Sequence, residues 1–222
     1  MALPGRKVAS TLIAGVGALL PLLFTWHSGA HILAALTAAT LVIALFFLFC
    51  VNDLKASAPE FALTVSGFLY VPLLLGHLIL TRELPHGIQW IFLLLVLVMS
   101  GDSGAYYVGS SLGRRKLYPL VSPNKSIEGA FGGLAGSLLG AIIARWIFFP
   151  ELTIGDCFLV SLIIGPLGQM GDLFESLLKR SFGVKDSGTI IPGHGGMLDR
   201  LDSILFTAPA LYYYAWYVTE RL

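Results

Sequence analysis

Long apolar runs separated by short polar segments dominate the pattern of this chain. Each run holds roughly the 20 residues that an α-helix needs to cross the hydrocarbon core of a bilayer. The pattern therefore predicts an all-α, polytopic integral membrane protein with about seven transmembrane helices. The predicted spans cover residues 8–26, 30–51, 61–81, 88–109, 126–147, 155–178 and 203–219.

The composition also favours a membrane protein. Hydrophobic residues make up 56% of the chain and charged residues only 12%, whereas about a quarter of the residues in a soluble domain are charged. The polar connections are too short for a soluble domain, so we expect residues 1–222 to form a single membrane domain. Cys50 and Cys157 lie in apolar runs without metal-ligand spacing, and we interpret both as small core residues.

The distribution of Lys and Arg predicts the orientation, because short cytoplasmic loops carry an excess of these residues. With the N-terminus in the cytoplasm, only Arg82, Arg145 and Arg221 of the 14 Lys and Arg residues fall outside. The charged segments 110–125 and 179–202 then face the cytoplasm, where nucleotides are found. We expect the cell (inner) membrane as the location, and the net charge of +1 argues against nucleic acid as a partner.

Residues 169–209 concentrate charge between apolar runs. Five of the chain's 13 acidic residues lie here together with four cations. Ionisable groups near the membrane interior are costly and therefore suggest a functional site. The charged residues are Asp172, Glu175, Lys179, Arg180, Lys185, Asp186, Asp199, Arg200 and Asp202.

Helical spacing would group these carboxylates. If the sixth span continues to Lys179, this residue shares a stripe with Asp172 and Glu175. Asp199 and Asp202 are three residues apart and share a face if they are helical. Carboxylate oxygens suit Mg²⁺, which proteins commonly bind through one or two carboxylates plus substrate phosphates. The alternative is that the first two carboxylates form ordinary helix ion pairs with the cations that follow them.

A second polar group flanks the fifth span. Asp102 lies near the end of the fourth span, where it is either functional or simply hydrated at the membrane surface. Pro123 predicts a turn that presents Lys125. Ser126 can cap the following helix, whose free N–H groups favour an anion. The basic run 114–116 is either a topology signal or a contact to anionic lipid.

The fifth span carries glycines at a spacing of four residues, namely Gly132, Gly136 and Gly140, with Gly129 and Gly133 as a second pair. Small residues at this spacing let two helices approach closely. We expect them to pack helices within one subunit, and the alternative is a homodimer contact.

Two motifs resemble the signatures of the phosphatidate cytidylyltransferase (CDP-diacylglycerol synthase) family. The first is filled at every fixed position, by Ser176, Lys179, Arg180, Lys185, Asp186, Gly188, Pro192, Gly193, His194, Gly195, Gly196, Asp199, Arg200 and Asp202. The second consists of Asp102, Ser103, Ala105, Tyr106 and Gly109, followed by Ser122, Pro123, Lys125, Ser126, Glu128 and Gly129. Asn124 stands where many members have lysine. The resemblance covers about residues 100–209.

The resemblance implies transfer of CMP from CTP to phosphatidate, which gives CDP-diacylglycerol and pyrophosphate for phospholipid biosynthesis. It implies Mg²⁺ as the cofactor, with a second metal ion left open, and contact with membrane lipids. The implied metal ligands are Asp172, Asp199 and Asp202, with Asp102 and Glu175 as further candidates. The implied catalytic residues are Asp172, Lys179, Arg180, Asp199 and Asp202. The implied phosphate-binding residues are Ser122, Lys125, Lys185, His194 and Arg200.

The residues alone indicate metal-assisted phosphoryl or nucleotidyl transfer at a membrane surface. The second pKa of a phosphate monoester is near ~6, so a lipid phosphate is already nucleophilic at neutral pH. The alternatives are a CTP-dependent lipid kinase and a cytidylyltransferase for another lipid phosphate. A membrane transporter is the remaining class, although the charges cluster at one end of the spans and no internal repeat is evident.

Overall fold

The computed structural model describes residues 29–50, 54–184, 187 and 196–220, and these residues are mostly helical. In chain order the helices are α1 Gly29–Cys50, α2 Leu54–Phe68, α3 Leu74–Glu83, α4 Gly87–Leu112, α5 Ile127–Ile147, α6 Ile154–Ser181 and α7 Leu198–Thr219. A π-helical segment, Leu69–Leu73, contains Pro72 and joins α2 to α3. The prediction of an all-α fold is confirmed.

Four described helical segments are long and apolar enough to cross a membrane, by length and composition. They are Leu54–Glu83, Gly87–Leu112, Ile127–Ile147 and Ile154–Ser181. The predicted membrane character is therefore confirmed, whereas the count of seven spans is not. The later six predicted spans coincide with described helices, and the first, 8–26, lies outside the described residues.

A short β-hairpin between α4 and α5 was not predicted. Strand β1 (Lys116–Tyr118) pairs antiparallel with β2 (Ser122–Ser126), and Lys116 lies opposite Ser126. The sequence indicated only a turn here, because proline and serine are typical of turns. At the base of the hairpin, the Ile127 N–H donates a 2.9 Å hydrogen bond to the Arg115 carbonyl.

Contacts between residues divide the chain into two compact units, 1–80 and 81–222. In the first unit, α1 and α2 pack around a core of Ala39, Ile43 and Phe68. In the second unit, α4 to α7 form a helical bundle that carries the described residues of both sequence motifs. Cys157 is buried in this bundle, which confirms its interpretation as a core residue. The expectation of a single membrane domain stays a prediction.

Glycines bring α4 and α5 into close contact. A Cβ atom at Gly136 would lie 2.4 Å from the Ser100 carbonyl oxygen, and one at Gly104 would lie 2.4 Å from the Gly132 carbonyl oxygen. Neither site can therefore take a larger residue without moving the helices apart. The glycine spacing thus serves helix packing within one subunit, as expected.

Polar contacts also fix the bundle at the end where α6 begins. Thr153 and Asp156 form a capping box at the start of α6. The Asp156 carboxylate also accepts a 2.7 Å hydrogen bond from the hydroxyl of Tyr214 on α7. The charge of Asp156 is therefore used to hold two helices together.

Candidate active site

A cleft of about 530 Å³ lies between α4, the β-hairpin, α5 and α6. It joins residues of the second motif to Gln169 and Asp172 of the charged segment 169–209, which lies far away along the chain. Its polar lining consists of Asp102, Ser110, Asn124, Lys125, Ser126, Gln169 and Asp172. Its other lining residues include Ala105, Tyr106, Leu117 and Ala130. A cleft lined by both charged and apolar side chains suits a molecule with a phosphate group and a hydrocarbon portion.

An ion pair connects the hairpin to α6 at this cleft. The Nζ of Lys125 lies 2.6 Å from Oδ2 of Asp172, and the two side chains are 26% and 34% exposed. The following residue, Ser126, is the N-cap of α5, and its hydroxyl accepts a 3.1 Å hydrogen bond from the Gly129 N–H. The predicted helix cap is therefore confirmed, and it fixes the backbone next to Lys125.

Two further aspartates lie near this ion pair. Asp102 on α4, Asp172 on α6 and Asp202 on α7 are close enough for their charges to act on one another, and Lys125 opposes them. Helices α6 and α7 approach closely at Gly171, where a Cβ atom would lie 2.5 Å from the Asp202 carbonyl oxygen. Lys125 opposes these three carboxylates and Lys179 also acts on Asp202, so negative charge remains in surplus and attracts cations.

Lys179 forms a second group of ion pairs, at the end of α6. Its ammonium group pairs with Glu175 one turn earlier and lies 2.7 Å from Oδ1 of Asp199 on α7. Glu175 is fully buried, so Lys179 supplies the charge that a buried carboxylate needs. The ordinary helix ion pair considered above therefore holds for Glu175, whereas Asp172 pairs with Lys125 of the hairpin.

Asp199 also accepts hydrogen bonds from both flanks of the segment 188–195. Its Oδ2 accepts from the N–H and hydroxyl of Ser187 at 2.9 and 2.8 Å, and from the N–H of Gly196 at 2.7 Å. Partial burial raises the pKa of the Asp199 carboxyl, but the bond from Lys179 and these three donors outweigh it, so its pKa lies well below the usual range. Asp199 is therefore ionised at neutral pH.

The remaining predicted residues have different surroundings. Arg180 and Arg200 are exposed, near the end of α6 and the start of α7 respectively. Ser122 lies in β2, opposite Tyr118. Lys185 and His194 lie outside the described residues, so their predicted roles stay predictions.

Gln169 belongs to the site but was assigned no role from the sequence. Its side-chain Nε2 donates a 3.0 Å hydrogen bond to the Ala130 carbonyl, which fixes the amide between α5 and α6. Gln169 lines the cleft beside Asp172, which follows it by about one turn of α6. Its signal in the sequence is a polar side chain within an otherwise apolar span.

The carboxylates provide a chemical fit for a divalent cation. Within the described ranges, no three His, Cys, Asp or Glu side chains form a ready set of metal ligands. Asp102 and Asp172 line the cleft, and the charge of Asp202 acts on both of them. Their hard oxygen atoms and surplus negative charge suit Mg²⁺. Glu175 and Asp199 pair with Lys179, which competes with metal binding, so their assignment as ligands stays a prediction.

The fold and the cleft define a helical membrane protein with a polar, carboxylate-rich site next to lysine side chains. Residues 3–218 match the profile of the Cytidylyltransferase family, which is nearly the whole chain. The chain therefore belongs to this family.

Individual relatives agree with this assignment. A phosphatidate cytidylyltransferase of Bacillus subtilis is 46% identical over 146 residues, which cover 65% of this chain and 54% of the relative. The protein of that name in Staphylococcus haemolyticus is 48% identical over 125 residues, covering 56% and 48%. The one in Staphylococcus aureus (strain COL) is 36% identical over 204 residues, covering 90% and 76%. The chain thus spans about half the length of the first two relatives.

Proposed function

We propose that this chain transfers CMP from CTP to phosphatidate at the cell membrane, which gives CDP-diacylglycerol and pyrophosphate. One observation carries the proposal, namely the cleft in which Lys125 and Asp172 pair beside Asp102 and Asp202. The family and the names of its relatives supply the identity of the substrates.

The proposed reaction needs charge neutralisation more than a strong protein base. An oxygen of the phosphatidate phosphate forms a bond to the α-phosphorus of CTP, and the bond from that phosphorus to the oxygen bridging to the β-phosphate breaks. The attacking monoester is already largely doubly ionised, since its second pKa is near ~6. The principal barrier is therefore repulsion between two polyanions, together with negative charge that develops on the leaving pyrophosphate.

The described residues can supply the opposing charge. Asp102, Asp172 and Asp202 would hold Mg²⁺, and a bound magnesium ion supplies Lewis-acid stabilisation of phosphate oxygens. Lys125 is placed to exchange its partner Asp172 for a substrate phosphate, because its side chain remains open to the cleft. The apolar lining near Tyr106 is suited to the glycerol and upper acyl region of the lipid.

The proposal is tested with purified protein, CTP, phosphatidate and Mg²⁺, followed for both pyrophosphate and the lipid product. We expect stoichiometric pyrophosphate and CDP-lipid, with turnover abolished by a chelator and restored by Mg²⁺. Formation of CDP instead would identify a CTP-dependent lipid kinase. Turnover only with a different lipid phosphate would correct the acceptor, and no substrate-dependent pyrophosphate release would contradict a nucleotidyl transfer.

The proposed site faces the cytoplasm, on the evidence of the Lys and Arg distribution. Single cysteines at Ser111 and Val184, in a background lacking Cys50 and Cys157, test this orientation, because both positions are exposed in the structure. We expect both cysteines to be shielded from impermeant thiol reagents in intact cells and to react once the membrane is opened. Labelling in intact cells would reverse the orientation.

A further inference from the structure

Glu128 lies in the first turn of α5, immediately after the hairpin that carries Lys125. Its Oε2 accepts a 3.0 Å hydrogen bond from the Arg114 N–H and a 3.2 Å bond from the Arg115 N–H. Its Oε1 is 3.3 Å from the Arg115 N–H. Both donors belong to the backbone that leaves α4, so one carboxylate joins the two ends of the hairpin.

These hydrogen bonds extend the base of the hairpin beyond its two strands. The Ile127 N–H bonds to the Arg115 carbonyl at 2.9 Å, and the next pair towards the tip is Lys116 with Ser126. Gly113 also packs tightly at this base, since a Cβ atom there would lie 2.6 Å from the Ser126 hydroxyl oxygen. The base is therefore a closed structure in which Glu128 satisfies two backbone donors.

The hairpin base determines where Lys125 lies. Lys125 is three residues before Glu128, and its ammonium group reaches Asp172 on α6 at 2.6 Å. A two-stranded hairpin is only marginally stable by itself, so its position depends on how it is attached to the bundle. Release of Arg114 and Arg115 would let β2 move and would weaken the contact between Lys125 and the cleft.

We propose that Glu128 is a positioning residue that fixes the hairpin and thereby holds Lys125 at the cleft. The inference rests on the proposed function where it concerns the substrate, because Lys125 is expected to contact phosphates of CTP. The effect on the hairpin itself is independent of the reaction. The length of the Glu128 side chain should matter more than its negative charge, because one of its oxygen atoms accepts from both Arg114 and Arg115.

The first experiment measures hairpin attachment without an activity assay. Limited trypsin digestion of the detergent-purified protein is followed by mass spectrometry for cleavage after Arg114, Arg115 and Lys116. In Glu128→Ala we expect cleavage about tenfold faster than in the unmodified protein, while Glu151→Ala should leave the rate unchanged. Glu151 is a matched control, because it is an exposed glutamate in the turn after the other end of α5. Equal rates in both variants would overturn the proposal.

The second experiment uses CTP as the probe in the cytidylyltransferase assay. We expect the KM for CTP to rise about tenfold in Glu128→Ala, with the KM for phosphatidate within about twofold. Glu128→Gln should recover most of the CTP affinity because it keeps an acceptor oxygen at the same reach. Glu128→Asp should remain impaired because it is one methylene shorter.

The pattern of rescue separates positioning from a general structural or charge effect. Recovery in Glu128→Asp but not in Glu128→Gln would show that charge at the start of α5 matters, and would overturn the proposal. If the KM for CTP is unchanged in Glu128→Ala although cleavage is faster, the proposed effect of Glu128 on CTP binding is overturned. If the unmodified protein makes no CDP-lipid, the proposed function fails, while the digestion experiment still decides whether Glu128 holds the hairpin.

Discussion

Two charged segments of the second unit are held to the following helix by an acidic residue in its first turn. They are the first loop, 113–126, and the described residues of 182–197, which we call the second loop. Glu128 accepts backbone N–H groups from Arg114 and Arg115 in the first loop. Asp199 accepts from Ser187 and Gly196 in the second. Similar backbone chemistry therefore closes both loops.

The two loops differ in whether the carboxylate that binds the loop backbone also forms an ion pair with a lysine. In the first loop, two different carboxylates serve these contacts, because Glu128 accepts the backbone N–H groups and Asp172 pairs with Lys125. In the second, Asp199 both closes the loop and pairs with Lys179, which also balances the buried Glu175. Changes in the second loop should therefore alter stability and activity together, whereas changes around the first should separate them.

The largest expected effect is the loss of stability on removal of Lys179. Lys179→Ala leaves Glu175 buried without its cation, which should cost about 3 kcal/mol. Thermal unfolding in detergent should show a clearly lower Tm, and adding Glu175→Gln should restore most of it. Arg180→Ala is the control, because the neighbouring Arg180 is exposed. An unchanged Tm in Lys179→Ala would show that the buried ion pair is not important for stability.

Asp199→Asn tests the double role in the second loop. Asparagine can still accept hydrogen bonds from Ser187 and Gly196, but it cannot balance the charge of Lys179. We expect Mg²⁺-dependent turnover to fall about 100-fold, or about 2.7 kcal/mol of transition-state stabilisation, together with a lower Tm. Turnover close to that of the unmodified protein would contradict both a metal-binding and a charge-balancing role.

Asp172→Asn and Asp202→Asn should also lower turnover about 100-fold, or about 2.7 kcal/mol, but with little change in Tm. Both carboxylates line or adjoin the cleft, and neither balances a fully buried group. Initial rates across a range of Mg²⁺ concentrations provide the measurement, with Glu151→Gln as the control. Partial recovery at high Mg²⁺ would support metal binding, whereas near-normal rates at low Mg²⁺ would remove these aspartates from the metal site.

Arg180→Ala should have the smallest effect. We expect kcat/KM to fall about tenfold, or about 1.4 kcal/mol, with no change in Tm, because an exposed guanidinium can bind phosphate without supporting the fold. Steady-state kinetics with CTP and phosphatidate provide the test. Unchanged kinetics would leave Arg180 as a topology or membrane-surface residue.

The sequence predicted individual helices and candidate charges better than it predicted their partners. The cap by Ser126 was predictable because a capping contact spans only a few residues. The i,i+4 spacing likewise indicated the Glu175–Lys179 pair. The hairpin was missed, since a three-residue strand beside proline gives little periodic signal. The backbone role of Glu128 was missed because its donors, Arg114 and Arg115, come close to it only through that hairpin.

The membrane-helical class and the two sets of charged residues could be read from the amino-acid sequence, because apolar length and local spacing are properties of a single segment. The pairing of Lys125 with Asp172 and of Lys179 with Asp199 became visible in the three-dimensional structure alone. These partners lie on different elements, and their approach depends on close helix packing at residues such as Gly136 and Gly171. The sequence shows where such glycines are. The three-dimensional packing determines which neighbouring helix approaches each one and therefore which charges come together.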